Sequence, residues 1–196
     1  MSSNSELASA PAVPTEAEVL AQTWHWVEAA VVGLNLCPFA KSVLNKGQIR
    51  VVVSQAKHLD AFLEDLDREL LHLRDTASEV TDTTLLVHPT LFPDFLVFND
   101  VLDIVDEVLQ EHELEGVIQV APFHPDFVFE GEEPQDMSHF TNRSPYATLH
   151  LIREESLGRA IDASSESAED IYTRNQGVLR QLGLEGWRKL MLRQST

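Results

Sequence analysis

Three short runs rich in β-branched residues, at 49–53, 83–87 and 117–121, alternate with two stretches of helical period. Leu59, Phe62, Leu63, Leu66, Leu70 and Leu73 mark the first stretch, with Asp60, Glu64, Asp67, Arg68 and Arg74 on its other side. Phe98, Val101, Leu102, Val105, Val108 and Leu109 mark the second, which Gly116 closes. A stripe repeating every three to four residues lies on one side of a helix and would be split between both faces of a strand. The order is therefore β-α-β-α-β, which favours parallel neighbours joined by crossover helices. Residues 146–152 alternate as well: Ala147, Leu149 and Leu151 point one way, and Tyr146, Thr148 and His150 the other. No helix separates this run from the third, so it pairs antiparallel or lies at an edge. The expected fold class is α/β, a mixed, mainly parallel four-stranded sheet with helices packed on it.

The flanking segments complete the plan. Thr15 opens a helix with Glu18 at capping-box spacing, and Leu20, Trp24, Val27, Val31 and Leu34 trace its apolar face toward Gly33 and Asn35. Residues 1–14 are Ser-, Ala- and Pro-rich without a period, and read as a disordered tail before a single α/β domain over 15–196. Residues 130–145 are acidic, contain Gly131, Pro134 and Pro145, and read as a long loop. A last helical region holds Ile171, Val178, Leu179 and Leu182 and is interrupted at Gly183 and Gly186.

Charge narrows the partners. Lys and Arg number 14 against 32 Asp and Glu, a net charge of −18. Such a surface repels phosphate backbones and anionic lipid headgroups, so neither nucleic acid nor membrane is expected as a partner. No apolar run approaches the roughly 20 residues that span a bilayer. The N-terminal residues lack the basic start and apolar stretch of a secretory signal. The one cysteine, Cys37, has no internal disulfide partner. The expected location is the cytoplasm.

In open α/β sheets, ligands gather at the carboxyl ends of the strands. There the second run leads into His88-Pro89 and the third into Phe123-His124-Pro125-Asp126. Proline holds the preceding residue extended, and in an extended chain His124 and Asp126 project to the same side. An imidazole and a carboxylate so placed suit a general base with its orienting acid, or two metal ligands with His88 and His139 as further members. The plain alternative for each histidine is a buried, hydrogen-bonded structural role.

Asn142 and Arg143, beside Thr141 and Ser144, form a second candidate. The guanidinium fork binds carboxylate or phosphate bidentately, which suits a small anionic or carbonyl-bearing molecule. Arg143 could equally pair with Glu130, Glu132, Glu133 or Asp136 and tie the loop down. No Gly-rich phosphate loop is present, which weighs against nucleotide-dependent chemistry. If a short helix over 39–44 follows Pro38, Cys37 takes its N-cap position, where backbone amides favour a thiolate, with His124 or His88 as base. Otherwise Cys37 is a small buried hydrophobe. His150 faces either a helix layer or the site, and His25, His58, His72 and His112 read as surface residues. Arg174, Arg180, Arg188, Lys189 and Arg193 make the C-terminal segment basic, ready to dock on the acidic body or to wall an anion site.

Three strings together resemble a bacterial family catalogued only as a domain of unknown function. They are Gly33-Leu34-Asn35-Leu36-Cys37-Pro38-Phe39-Ala40, Gln119-Val120-Ala121-Pro122-Phe123-His124-Pro125-Asp126-Phe127, and Thr141-Asn142-Arg143-Ser144-Pro145-Tyr146 with Leu149-His150-Leu151-Ile152-Arg153-Glu154. The ending Leu182-Gly183-Leu184-Glu185-Gly186-Trp187-Arg188 is also similar. The resemblance implies a stand-alone bacterial protein and carries no activity with it. Three functions stay open. One is a small-molecule enzyme of acyl-transfer or hydrolase type, using His124, Asp126 and Cys37 with Asn142, Arg143 and His88. Another is a metal-binding protein or metallohydrolase using His88, His124 and Asp126. The third is a non-catalytic module for a small anion or a protein.

Overall fold

At the start of the first helix, Oγ1 of Thr15 accepts the Glu18 amide at 3.3 Å while the Glu18 carboxylate accepts the Thr15 amide at 2.8 Å, the expected capping box. In the computed structural model, which describes residues 13–163 and 166–192, helix α1 (Glu16–Trp26) runs directly into a π-helical segment, Val27–Val32. Most of the expected tail therefore lies outside the described residues. The buried stripe is Val19, Thr23, Trp26, Val27 and Ala30, one position away from the expected Leu20–Trp24 row, because the stripe includes a polar residue, Thr23. Asn35, in the left-handed region at φ 54°, turns the chain into α2 (Pro38–Asn45).

The sheet consists of β1 (Ile49–Val53), β2 (Thr83–His88), β3 (Ile118–Phe123) and β4 (Ala147–Arg153) in the order β1-β2-β4-β3. Helix α3 (Leu59–Asp75) joins β1 to β2, and α4 (Phe95–Glu111) joins β2 to β3. The sheet is mixed but not mainly parallel, which corrects the expectation. Only β1 and β2 pair in parallel, and β4 lies antiparallel between β2 and β3. The three strands of the β-α-β-α-β run do share one direction. The α4 crossover, however, leaves a strand-wide gap that β4 fills, antiparallel to both neighbours because only a loop with a short 3-10 turn, Met137–Thr141, and no crossover helix joins it to β3. β4 is thus central rather than an edge strand.

This insertion decides which residues face which layer. Leu149 and Leu151 join Leu86 and Ile118 against α3 and α4, through Phe62, Leu66, Leu70, Phe98 and Val105. The opposite face, with Leu85 and Val87, packs on Trp26, Val27 and Ala30 of the first helical unit, and on Leu179 and Trp187 of α6 (Ala168–Met191). A short helix not foreseen from the sequence, α5 (Glu154–Asp162), follows β4 without a loop. Helix α6 breaks at Gly183 (φ 65°, ψ 171°), as its glycine implies. The basic segment docks on the acidic body through Arg180, which meets Asp136 at 3.1 Å.

Candidate ligand-binding site

His88 and His124 end β2 and leave β3 as expected, and each is engaged at both ring nitrogens. Nε2 of His124 donates to the Phe92 carbonyl at 2.9 Å and Nδ1 accepts the Asp126 amide at 3.0 Å. His88 does the same with the Ala56 carbonyl at 2.7 Å and the Leu91 amide at 2.8 Å. His139 repeats the pattern between the Glu133 carbonyl (2.9 Å) and the Phe129 amide (3.1 Å). In all three an imidazole bridges backbone groups of loops that no ladder could satisfy. His124 is also packed against Phe98, ring centroids 5.5 Å apart, and is 1% exposed. Among the described residues, no group of three or more His, Cys, Asp or Glu is placed to hold a metal ion.

The segment from Thr141 to Tyr146 is sutured to the segment that follows β3. The Asn142 carbonyl accepts the His124 amide at 3.1 Å, and Nδ2 of Asn142 donates to the Pro122 carbonyl at 3.1 Å. Nε of Arg143 donates to the Phe127 carbonyl at 3.2 Å, and its guanidinium lies 4.3 Å above the Phe140 ring. Arg143 forms no ion pair among the described residues. Glu132 and Asp136, which could have held it, pair with Arg180 instead. Burial lowers the pKa of Arg143 from its ordinary value, and the charge of Asp126 partly opposes this.

Arg143 lines an open hollow of about 670 Å³ whose apolar wall includes Phe140, Trp187 and Met191 and whose polar wall includes Glu18, Gln22 and His25. His124 is not on that surface. Exposed Asp126 lines a neighbouring hollow with Phe95 and Phe127. Arg143 and Ser144 of the Thr141–Ser144 candidate lie on this lining, whereas His25, Phe140 and Trp187 come from separate helical elements and share no local motif that would have marked them in the sequence.

Cys37 is the N-cap of α2, as the Pro38 signal suggested, yet burial raises its thiol pKa, outweighing the favourable Ala40 and Phe39 amides. Cys37 lies on a separate apolar cavity between the sheet and the first two helices, together with His150 and Thr83. Nε2 of His150 is 2.6 Å from Oγ1 of Thr83. The sequence-predicted residues thus fall into distinct places: Arg143 in the hollow, Cys37 in the cavity, and His88, His124 and Asn142 in the loop fastenings.

No helix among the described residues is long and apolar enough to cross a membrane. No curated protein and no solved structure matches the chain. A family model does: the one described as Protein of unknown function (DUF1415) matches residues 18–189, and the chain belongs to that family.

Proposed function

We propose that this protein binds a small molecule bearing one carboxylate, or a comparable planar oxyanion, on an apolar body, in the hollow lined by Arg143. One observation carries the reading: a half-buried guanidinium uses Nε on a carbonyl and has no ion pair among the described residues, in a chain with 32 acidic side chains. Asp126 acts on this guanidinium only through its charge and makes no ion pair with it, so a partly buried cation is left to gain from an anion that arrives to pair with it. The fork stacked on Phe140 is held in plane for a bidentate partner. The hollow, at about 670 Å³, falls within the roughly 300–1,000 Å³ of ordinary ligand pockets. Trp187 and Met191 offer the apolar body its contact surface, and Glu18 on the same lining disfavours a second negative charge.

Binding is favoured over acyl transfer through His124, since neither ring nitrogen of His124 is free. A second, enzymatic reading rests on His25. Its Nε2 is engaged with the Leu190 carbonyl at 2.9 Å, and its Nδ1 has no hydrogen-bond partner among the described residues, which suits a base beside the bound molecule.

Calorimetric titration with benzoate, phenyl phosphate and benzyl alcohol tests the proposal. Benzoate should bind, benzyl alcohol should not, and Arg143→Met should weaken benzoate binding by about tenfold or more. Absence of anion binding at millimolar concentration, or full affinity in Arg143→Met, overturns it. His25→Ala separates the two readings: loss of turnover with retained binding favours the enzyme.

A further inference from the structure

The cavity that holds Cys37 lies across the sheet from the α3–α4 layer and is separate from the Arg143 hollow. The register explains why there is room. His150 of β4 sits between Leu85 of β2 and Ala121 of β3, so a small side chain stands beside the imidazole on one side. Overhead, Ala40 of α2 is, like Ala121, a small residue on a lining otherwise made largely of Val, Ile, Phe and Trp. The π-helical segment, through Val27 and Val31, forms another wall. Such segments are rare and recur beside functional sites.

The polar content of this space follows from one hydrogen-bond chain. Oγ1 of Thr83 donates its only proton to the Leu151 carbonyl at 2.7 Å, so toward His150 it acts as acceptor and Nε2 carries the ring hydrogen. Nδ1 is then a lone-pair acceptor, and no hydrogen bond reaches it among the described residues. Burial pushes the His150 pKa down to about 4, which keeps the ring neutral near pH 7. The Cys37 thiol adds a weak donor and acceptor on the same lining.

We infer that this cavity is a second binding site, for a small neutral molecule with an apolar body and one O–H or N–H donor, of the size and class of phenol. The volume of about 140 Å³ is close to that of a dry engineered cavity of about 150 Å³ that takes up benzene. A donor on the ligand gives the Nδ1 lone pair a partner within an otherwise apolar lining. A charged ligand is excluded because neither an acidic nor a basic side chain lines the cavity to pair with it, His150 being neutral.

Methyl NMR of the full chain, titrated with phenol and with benzene, tests the inference. Phenol should shift the methyl signals of Val27, Val31 and Val43 saturably and bind about tenfold more tightly than benzene. Ala40→Leu, which fills the space, should abolish both sets of shifts. His150→Phe puts an apolar ring in the same place and removes the acceptor, so phenol should fall to the affinity of benzene while benzene binding persists. The inference is overturned if neither compound shifts those methyl signals up to millimolar concentration, or if phenol keeps its advantage in His150→Phe. Should Ala40→Leu fail to fold, the His150→Phe comparison decides alone.

Discussion

Oγ1 of Thr83 stands 2.6 Å from Nε2 of His150 on the neighbouring strand, and donates its own hydrogen bond to the Leu151 carbonyl. This fixes His150 as a neutral acceptor inside an apolar layer, and burial lowers its pKa from 6.5 to about 4. A depressed folded-state pKa means that the unfolded chain takes up the proton first. Stability from this group is complete above pH 6.5 and is lost as pH falls toward 4. The shift corresponds to something on the order of 3 kcal/mol at most. His88, whose pKa burial also lowers, acts in the same direction. Urea denaturation between pH 7.5 and 4 should show a falling midpoint, with a clearly shallower fall in His150→Phe. An unchanged slope in that variant would refute the assignment of the ring as the buried neutral group.

His124 invites a different measurement, because the two sides of its ring join loops after β2 and β3 through the Phe92 carbonyl and the Asp126 amide. His124→Ala removes both links and leaves a void against Phe98, at a cost of about 3 kcal/mol. Asp126→Asn should be close to neutral, since the backbone amide rather than the carboxylate makes the contact. Thermal denaturation of both variants checks the contrast. Equal melting temperatures for His124→Ala and the parent protein would show that the ring is dispensable to the fold.

Local signals in the sequence were faithful where one segment determines the outcome. The capping box at Thr15, the strand over 49–53, the N-cap position of Cys37 and the break at Gly183 each follow from a few adjacent residues. The alternation in β4 also separated His150 from Leu149 and Leu151 correctly, but period alone does not say which layer each face meets. Strand order escaped because it depends on where β4 inserts, a long-range packing outcome with no local mark. Helix α5 escaped because Glu154, Glu155, Gly158 and Arg159 dilute its apolar residues, and it starts without a turn. In the site, the His-Pro signals marked real structural junctions. The residues around Arg143 could be found only once α1, the 3-10 turn at Met137–Thr141 and α6 were seen together.

Cys37 is the chain's single thiol, so its reactivity can be read without ambiguity. Burial raises its pKa, leaving little thiolate at neutral pH despite its N-cap position. Iodoacetamide at pH 7.5 should therefore modify the native protein at least tenfold more slowly than the same protein in urea, as followed by intact mass. Native labelling as fast as in urea would mean that the thiol is open and activated, and would favour Cys37 as a nucleophile.

Two glycines are required for opposite reasons, and Ala substitution tells them apart. Gly33 has ordinary helical angles (φ −63°, ψ −37°), where Ala would usually stabilise a helix by roughly 1 kcal/mol. Here an added Cβ would lie 2.2 Å from the Ala29 carbonyl oxygen, because the π-helical turn brings that backbone close. Gly33→Ala should thus destabilise, by on the order of 2 kcal/mol, the reverse of the propensity expectation. Gly183 has open space for a methyl group, but its φ of 65° and ψ of 171° are accessible essentially to glycine alone. Gly183→Ala should cost about 1–3 kcal/mol through backbone strain, with Gly183→Asn no better. Methyl spectra separate the cases. Gly33→Ala should perturb Val27 and Val31 beside the cavity and leave Leu190 alone, whereas Gly183→Ala should do the converse. A stabilised Gly33→Ala protein would show that the close approach of Ala29 is absent in solution.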